Sequence, residues 1–366
     1  MEKTQREHGL DFVKVIATLL IVLHHYWQVQ NVHIDNFVNF YGGKFYFGYI
    51  VELFFVLSGF FMLGSIKRIN DGQSFRDFFI KKYMRFQPLV MISVVAFAIV
   101  TKIFEALTQM PWGDFQVSLW GIISASLAIQ EGWGIPNPSL NNPLWYISVL
   151  LLCYVILYIV VRISKKMNMP ITQLLVFMIL LGIGIISYSI NRPFLNVMTA
   201  RGFYSFFWGV LLAIIMEKHQ PNKAVRVLSL LVLVGFPLLI AYTDSFMAIG
   251  INYTMTYVYY TAVVFVFTSD TAKKLFAAHF WETLAAISYN AYIWHCCVFT
   301  MAAIYFFVLN IVPDFAKPTT ILAMVAAVYA MGAFSQLFID KPTGKNISKK
   351  ITQYLTGNGG VDNDPV

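Results

Sequence analysis

Charged side chains are scarce in this 366-residue chain: Asp, Glu, Lys and Arg make up 12% of it, against 58% hydrophobic residues. So little charge cannot cover the surface of a soluble domain, and so much apolar content is foreign to disordered chains. Cysteine is scarcer still. Cys153, Cys296 and Cys297 are the three, all inside apolar runs, and they read as packing residues rather than disulfide partners or metal ligands. The chain has no CxxC pair, no HExxH, no phosphate-cradling glycine loop and no internal repeat. Nucleotide-loop and metallopeptidase chemistry therefore have no sequence foothold, and no metal is expected.

What is abundant is long apolar runs. The mean hydropathy is +0.66, and windows of bilayer-crossing length recur at 10–29, 46–66, 86–105, 144–163, 172–190, 200–217, 226–243, 249–268, 284–309 and 319–339. A hydrocarbon core needs about 20 such residues per helix. The pattern predicts an all-α polytopic bundle of about ten transmembrane helices. The 115–129 stretch is apolar but short and bounded by Trp and Pro, so it reads as interfacial or re-entrant. The first run carries Asp11 and Lys14 and lacks a small-residue cleavage site, which marks a retained span rather than a signal peptide. Residues 1–350 form the expected membrane domain, and 351–366, rich in Gly, Asn and Asp, an expected disordered cytoplasmic tail.

Lys and Arg cluster in alternate connections. With the N-terminus inside, the inner segments hold Lys3 and Arg6, Lys67 to Arg85, Arg162 to Lys166, Lys218 to Arg226, Lys273 and Lys274, and Lys341 to Lys350, whereas Lys44, Lys102, Arg192, Arg201 and Lys317 fall outside. This positive-inside bias places both termini in the cytoplasm. It also accounts for the net charge of +8, so that charge is no sign of a nucleic-acid partner.

Against this apolar background two ionisable groups stand out. A helix turns ~100° per residue, so the eleven residues from Lys14 to His25 return to within ~20° of one face while rising roughly 16 Å. Asp11 and Thr18 lie on or near the same stripe. Ionisable groups at membrane depth are costly unless they face a protein interior or a wet cavity, which makes the stripe a candidate functional lining.

The run LDFVKVIATLLIVLHH resembles the opening span of the acyltransferase 3 family of integral membrane acyltransferases, whose signature is a basic residue, ten intervening positions and a His, here Lys14 and His25. The likeness continues in order. ELFFVLSGFF (52–61), KYMRFQP (82–88), PLWYIS (143–148), RGFYSFFWG (201–209), ISYNAYIWH (287–295) and the Asp-Lys-Pro at 340–342 resemble later family motifs. One position departs: where many members carry an acid after the Trp of the fourth span, this chain has Leu150. The resemblance is to the stand-alone branch, without an appended esterase-like domain.

That resemblance implies an O-acyltransferase of a bacterial cytoplasmic membrane, multi-pass and in contact with membrane lipids. It would take an acyl group, expected to be acetyl, from cytoplasmic acyl-CoA and place it on a hydroxyl of a cell-surface polysaccharide or lipid-linked sugar. A neutral imidazole suits removal of the hydroxyl proton, so His25 is the expected base, with Glu52 and His295 as the other catalytic candidates. Asp11, Lys14, Lys82 and Arg85 are the expected acyl-CoA contacts, since coenzyme A carries phosphates that basic side chains match. His24, ~100° from His25 on the helix, and Arg201 are the expected acceptor contacts. Ser58 beside Gly59 reads as helix packing rather than as a nucleophile. The alternative reading is a glycan or lipid transporter or flippase in which the polar stripe lines a path and no bond is made.

Overall fold

The computed structural model describes residues 7–30, 38, 40, 44–112, 117–133, 140–242 and 251–347. Helices account for its regular structure, with no β-strand among the described residues. The chain is an all-α membrane bundle, and each of the ten apolar windows holds helix among the described residues. The first is α1 (His8–His24), continued by a tight turn at Tyr26–Gln30. The second is broken: α2 (Ile50–Phe60) gives way to α3 (Leu63–Asn70), with a bend of 41° at the break. Then follow α4 (Phe75–Thr108), a short α5 (Leu119–Ser126), α6 (Trp145–Met167), α7 (Ile171–Ser187), α8 (Val197–Lys218) and α9 (Lys223–Tyr242). The last windows are α10 (Ile251–Thr254), joined through a π-helical turn at Met255–Tyr259 to α11 (Tyr260–Phe267), and, after a short α12 (Asp270–Leu275), α13 (Phe280–Val308) and α14 (Pro318–Ser335).

Among the described residues seven stretches are long and apolar enough to cross a bilayer, or eight with the bent pair counted as one. The difference from ten lies in α7, whose 17 residues fall just short, and in the window around α10 and α11, which the π turn interrupts. At eight residues α5 extends only about 12 Å. It cannot cross a membrane and leaves Leu119, Trp120 and Ile123 exposed. The 351–366 tail lies outside the described residues.

Local sequence explains the helix ends that matter for function. Asn196 accepts from the backbone of Met198 and Thr199 while Thr199 accepts from the Asn196 amide, a reciprocal cap that starts α8 four residues before Arg201. Glycine sets how closely α8 meets α2. A Cβ on Gly59 would collide with the carbonyl oxygen of Phe206, and one on Gly209 with that of Val56. Ser58 hydrogen-bonds the Tyr146 hydroxyl at 2.8 Å, in keeping with a packing role. The well-buried α6 and α8 form the centre, whereas α9 and α14 turn mostly apolar side chains outward.

The bundle therefore has two chemically distinct ends. One gathers the end of α1 and the starts of α2, α6 and α8. The other holds most of the basic residues, cross-linked by Lys67 to Glu217 at 2.5 Å, Lys165 to the Asn70 carbonyl at 2.5 Å and Lys273 to Glu7 at 3.1 Å.

Candidate active site

Glu52 and Arg201 meet at the less basic end. Arg201 donates from Nε to Glu52 Oε1 at 2.7 Å and from Nη2 to Oε2 at 2.8 Å, and also reaches the Gly48 carbonyl at 2.6 Å. The Tyr204 hydroxyl donates to Oε1 at 2.7 Å, and the guanidinium lies 4.8 Å from the Trp145 ring. Glu52 is 1% exposed. A bidentate pair with a third donor satisfies both buried charges. The sequence marks Glu52 as a catalytic candidate and Arg201 as an acceptor contact; the structure pairs the two with each other. Each is the other's partner, and together they pin α8 to the start of α2.

Three histidines converge beside this pair. α1 ends at His24, and the backbone of His25 leaves the helix with its N–H bonded to Ile21 and Leu23 carbonyls. The two neighbouring rings thereby come within 4.9 Å, and His24 stacks edge-on to Tyr46 at 4.8 Å. The ~100° separation expected of a continuing helix does not divide their surroundings. From α13, His295 brings its ring to 5.0 Å from that of His25. Its Nδ1 sits 2.6 Å from the Tyr292 carbonyl, so that nitrogen carries the proton and Nε2 the lone pair. Tyr292 in turn donates to the Pro143 carbonyl, tying α13 to the start of α6. His25 is half-buried, with Nδ1 3.4 Å from the Gln28 amide nitrogen. In either neutral tautomer, one of its ring nitrogens carries a lone pair.

The expected donor contacts lie at the opposite end. Lys14 bonds Asp11 at 2.9 Å and sits 5.0 Å from the Phe61 ring, while Asp11, 2% exposed, also has His8 at 3.7 Å. Lys14, nearly two turns into α1, and His25, just past its last residue, are thus roughly 16 Å apart along the helix axis. Lys82 is half-buried over the Tyr154 ring at 5.4 Å, and Arg85 is exposed a turn later on α4. The structure does not bring these four residues to the histidines.

A cavity of about 440 Å³ opens at the histidine end, lined by Glu131, Ser189, Asn191, Asn196 and Met198. It sits a turn before Arg201 on α8 rather than against His25. Burial between α5 and α6 pushes the Glu131 carboxyl up from its ordinary range.

Sequence reasoning missed Tyr204, Trp145, Tyr46 and Gln28. Tyr204 was within reach, being three residues from Arg201 and so on its face of α8. Tyr46 and Trp145 meet their partners only through chain folding.

The family model described as an acyltransferase domain matches residues 7–339. No curated protein and no solved structure matches the chain.

Proposed function

This chain belongs to the acyltransferase 3 family, whose model spans nearly all of it, and from that premise we propose that it is an O-acyltransferase of the bacterial cytoplasmic membrane. It takes an acyl group, acetyl in the simplest case, from cytoplasmic acyl-CoA and esterifies a hydroxyl of a cell-surface polysaccharide or lipid-linked sugar. The basic end of the bundle faces the cytoplasm, with both termini, and the histidine end faces outward. Lys14, held by Asp11, together with Lys82 and Arg85 offers charge to the phosphates of coenzyme A.

The observation that carries the reading is the convergence of His24, His25 and His295 from two helices, beside a rigid Glu52–Arg201 support. His25 takes the proton of the acceptor hydroxyl as the oxygen attacks the thioester carbonyl. A C–O bond forms, the C–S bond breaks, and the thiolate of coenzyme A leaves and regains a proton from His25. His295, with its lone pair at Nε2, helps hold the hydroxyl or the His25 ring, and His24 lines the acceptor side.

The test compares surface glycans by mass spectrometry from cells with the gene, without it, and with His25→Ala. One missing acyl increment in both of the latter supports the reading. Unchanged glycans, with an ester lost instead from a lipid or secreted metabolite, would overturn the acceptor assignment.

A further inference from the structure

The histidine cluster can do a second thing that spacing along the chain conceals. His25, at the end of α1, faces His295 and Cys296 on α13, and one ligand atom from each of the three lies within 4.8 Å of the others. Two imidazoles and a thiol are the donor set of borderline and soft transition-metal ions, not of oxygen-seeking Mg²⁺ or Ca²⁺.

Two further observations point to a cation. His295 is 0% exposed, and its Nε2 has no hydrogen-bond partner among the described residues. A buried acceptor left so keeps the full cost of its desolvation. The proton on its other nitrogen goes to the Tyr292 carbonyl, the backbone bond that metal-binding histidines habitually make, since it turns the Nε2 lone pair toward the ion. Gln28, 2% exposed, adds a second orphan: its Oε1 is likewise unpartnered, while its Nε2 lies 3.4 Å from His25 Nδ1. One positive centre answers both lone pairs.

We propose that His25, His295 and Cys296 form a binding site for Zn²⁺ or a chemically similar ion, with Gln28 Oε1 or water in the fourth position, and that its occupation inhibits acyl transfer. The inhibitory half rests on His25 being the base, because a metal-bound imidazole nitrogen has no lone pair to offer a hydroxyl. Tetrahedral coordination places donor atoms roughly 3.3–3.7 Å apart. The cluster closes to that by rotation of side chains, most freely at His25, where the helix has stopped. Binding converts the Cys296 thiol to thiolate and releases its proton to solvent, with no change of oxidation state.

Cobalt tests the site without reference to activity. The detergent-purified full chain titrated with Co²⁺ is expected to develop a thiolate-to-cobalt charge-transfer band that saturates near one ion per chain. Zn²⁺ abolishes that band, Cys296→Ser or Cys296→Ala eliminates it, and Cys297→Ser leaves it intact. No band, or one that survives loss of Cys296 in a monodisperse protein, overturns the site. In the ester-forming assay Zn²⁺ inhibits the wild type, and Cys296→Ser raises the half-inhibitory concentration by at least about tenfold. A wild type that transfers acyl groups and binds cobalt but ignores Zn²⁺ overturns the inhibitory role. A chain with the Cys296-dependent band that forms no ester supports the metal site and removes the acyl-transfer reading instead.

Discussion

At His25 a helix stops, and that stop lets two adjacent histidines share one site. If His25 is the base, as proposed, His25→Ala removes it without disturbing the Glu52–Arg201 anchor, and ester formation is expected to fall by about 10²–10⁴-fold. Gel filtration and thermal unfolding should match the wild type, and loss of both activity and folding together would deny His25 a chemical role. The anchor itself behaves differently. Arg201→Met strands a carboxylate that is 1% exposed, which costs about 3–5 kcal/mol. The double change Glu52→Gln with Arg201→Met removes the stranded charge and is expected to recover part of that loss. Thermal unfolding of the purified variants reads the difference, and a double variant less stable than Arg201→Met alone would contradict the pairing. At this scale the motif residues were legible in the sequence, but their pairing was not. Glu52 and Arg201 lie in separate motifs, and either looks like a free ligand group until α2 and α8 are laid together.

The joint between α2 and α8 depends on hydrogen atoms where other residues carry a methyl. Gly59→Ala and Gly209→Ala drive a Cβ into backbone carbonyls that cannot yield as a flexible side chain would. Each is expected to cost about 1–3 kcal/mol and to lower the yield of folded protein. Gly235→Ala on α9, where a Cβ meets nothing within 4 Å, is the control and should be neutral or slightly stabilising. Equal yields for all three would argue against the close crossing. Hydropathy found the helical windows because burial in lipid demands an uninterrupted apolar run. It did not find the bend of 41° after Phe60 or the π turn at Met255–Tyr259. These are local changes of backbone geometry that leave composition untouched.

Across the whole molecule, the proposed reading sets a cytoplasmic donor against an outer acceptor, and Lys14 and His25 stand roughly 16 Å apart along the path between them. The proposed orientation rests on the positive-inside bias, and labelling checks it. In intact cells, an impermeant maleimide should modify a cysteine placed at Asn191, between α7 and α8, and spare one at Asp71, between α3 and α4. The reverse pattern would invert the bundle and move His25 to the cytoplasmic side.

By itself, the order of residues determined the fold class and the two ends of the bundle, because apolar length and the placement of Lys and Arg are properties of the linear chain that a bilayer reads directly. It also marked Lys14 and His25, since one helix relates them by fixed geometry. Only the tertiary structure decided that Glu52 belongs to Arg201 and that His25 meets His295 and Cys296. Those contacts join residues far apart in the chain, and which faces of separate helices meet is settled by packing, which no local period records.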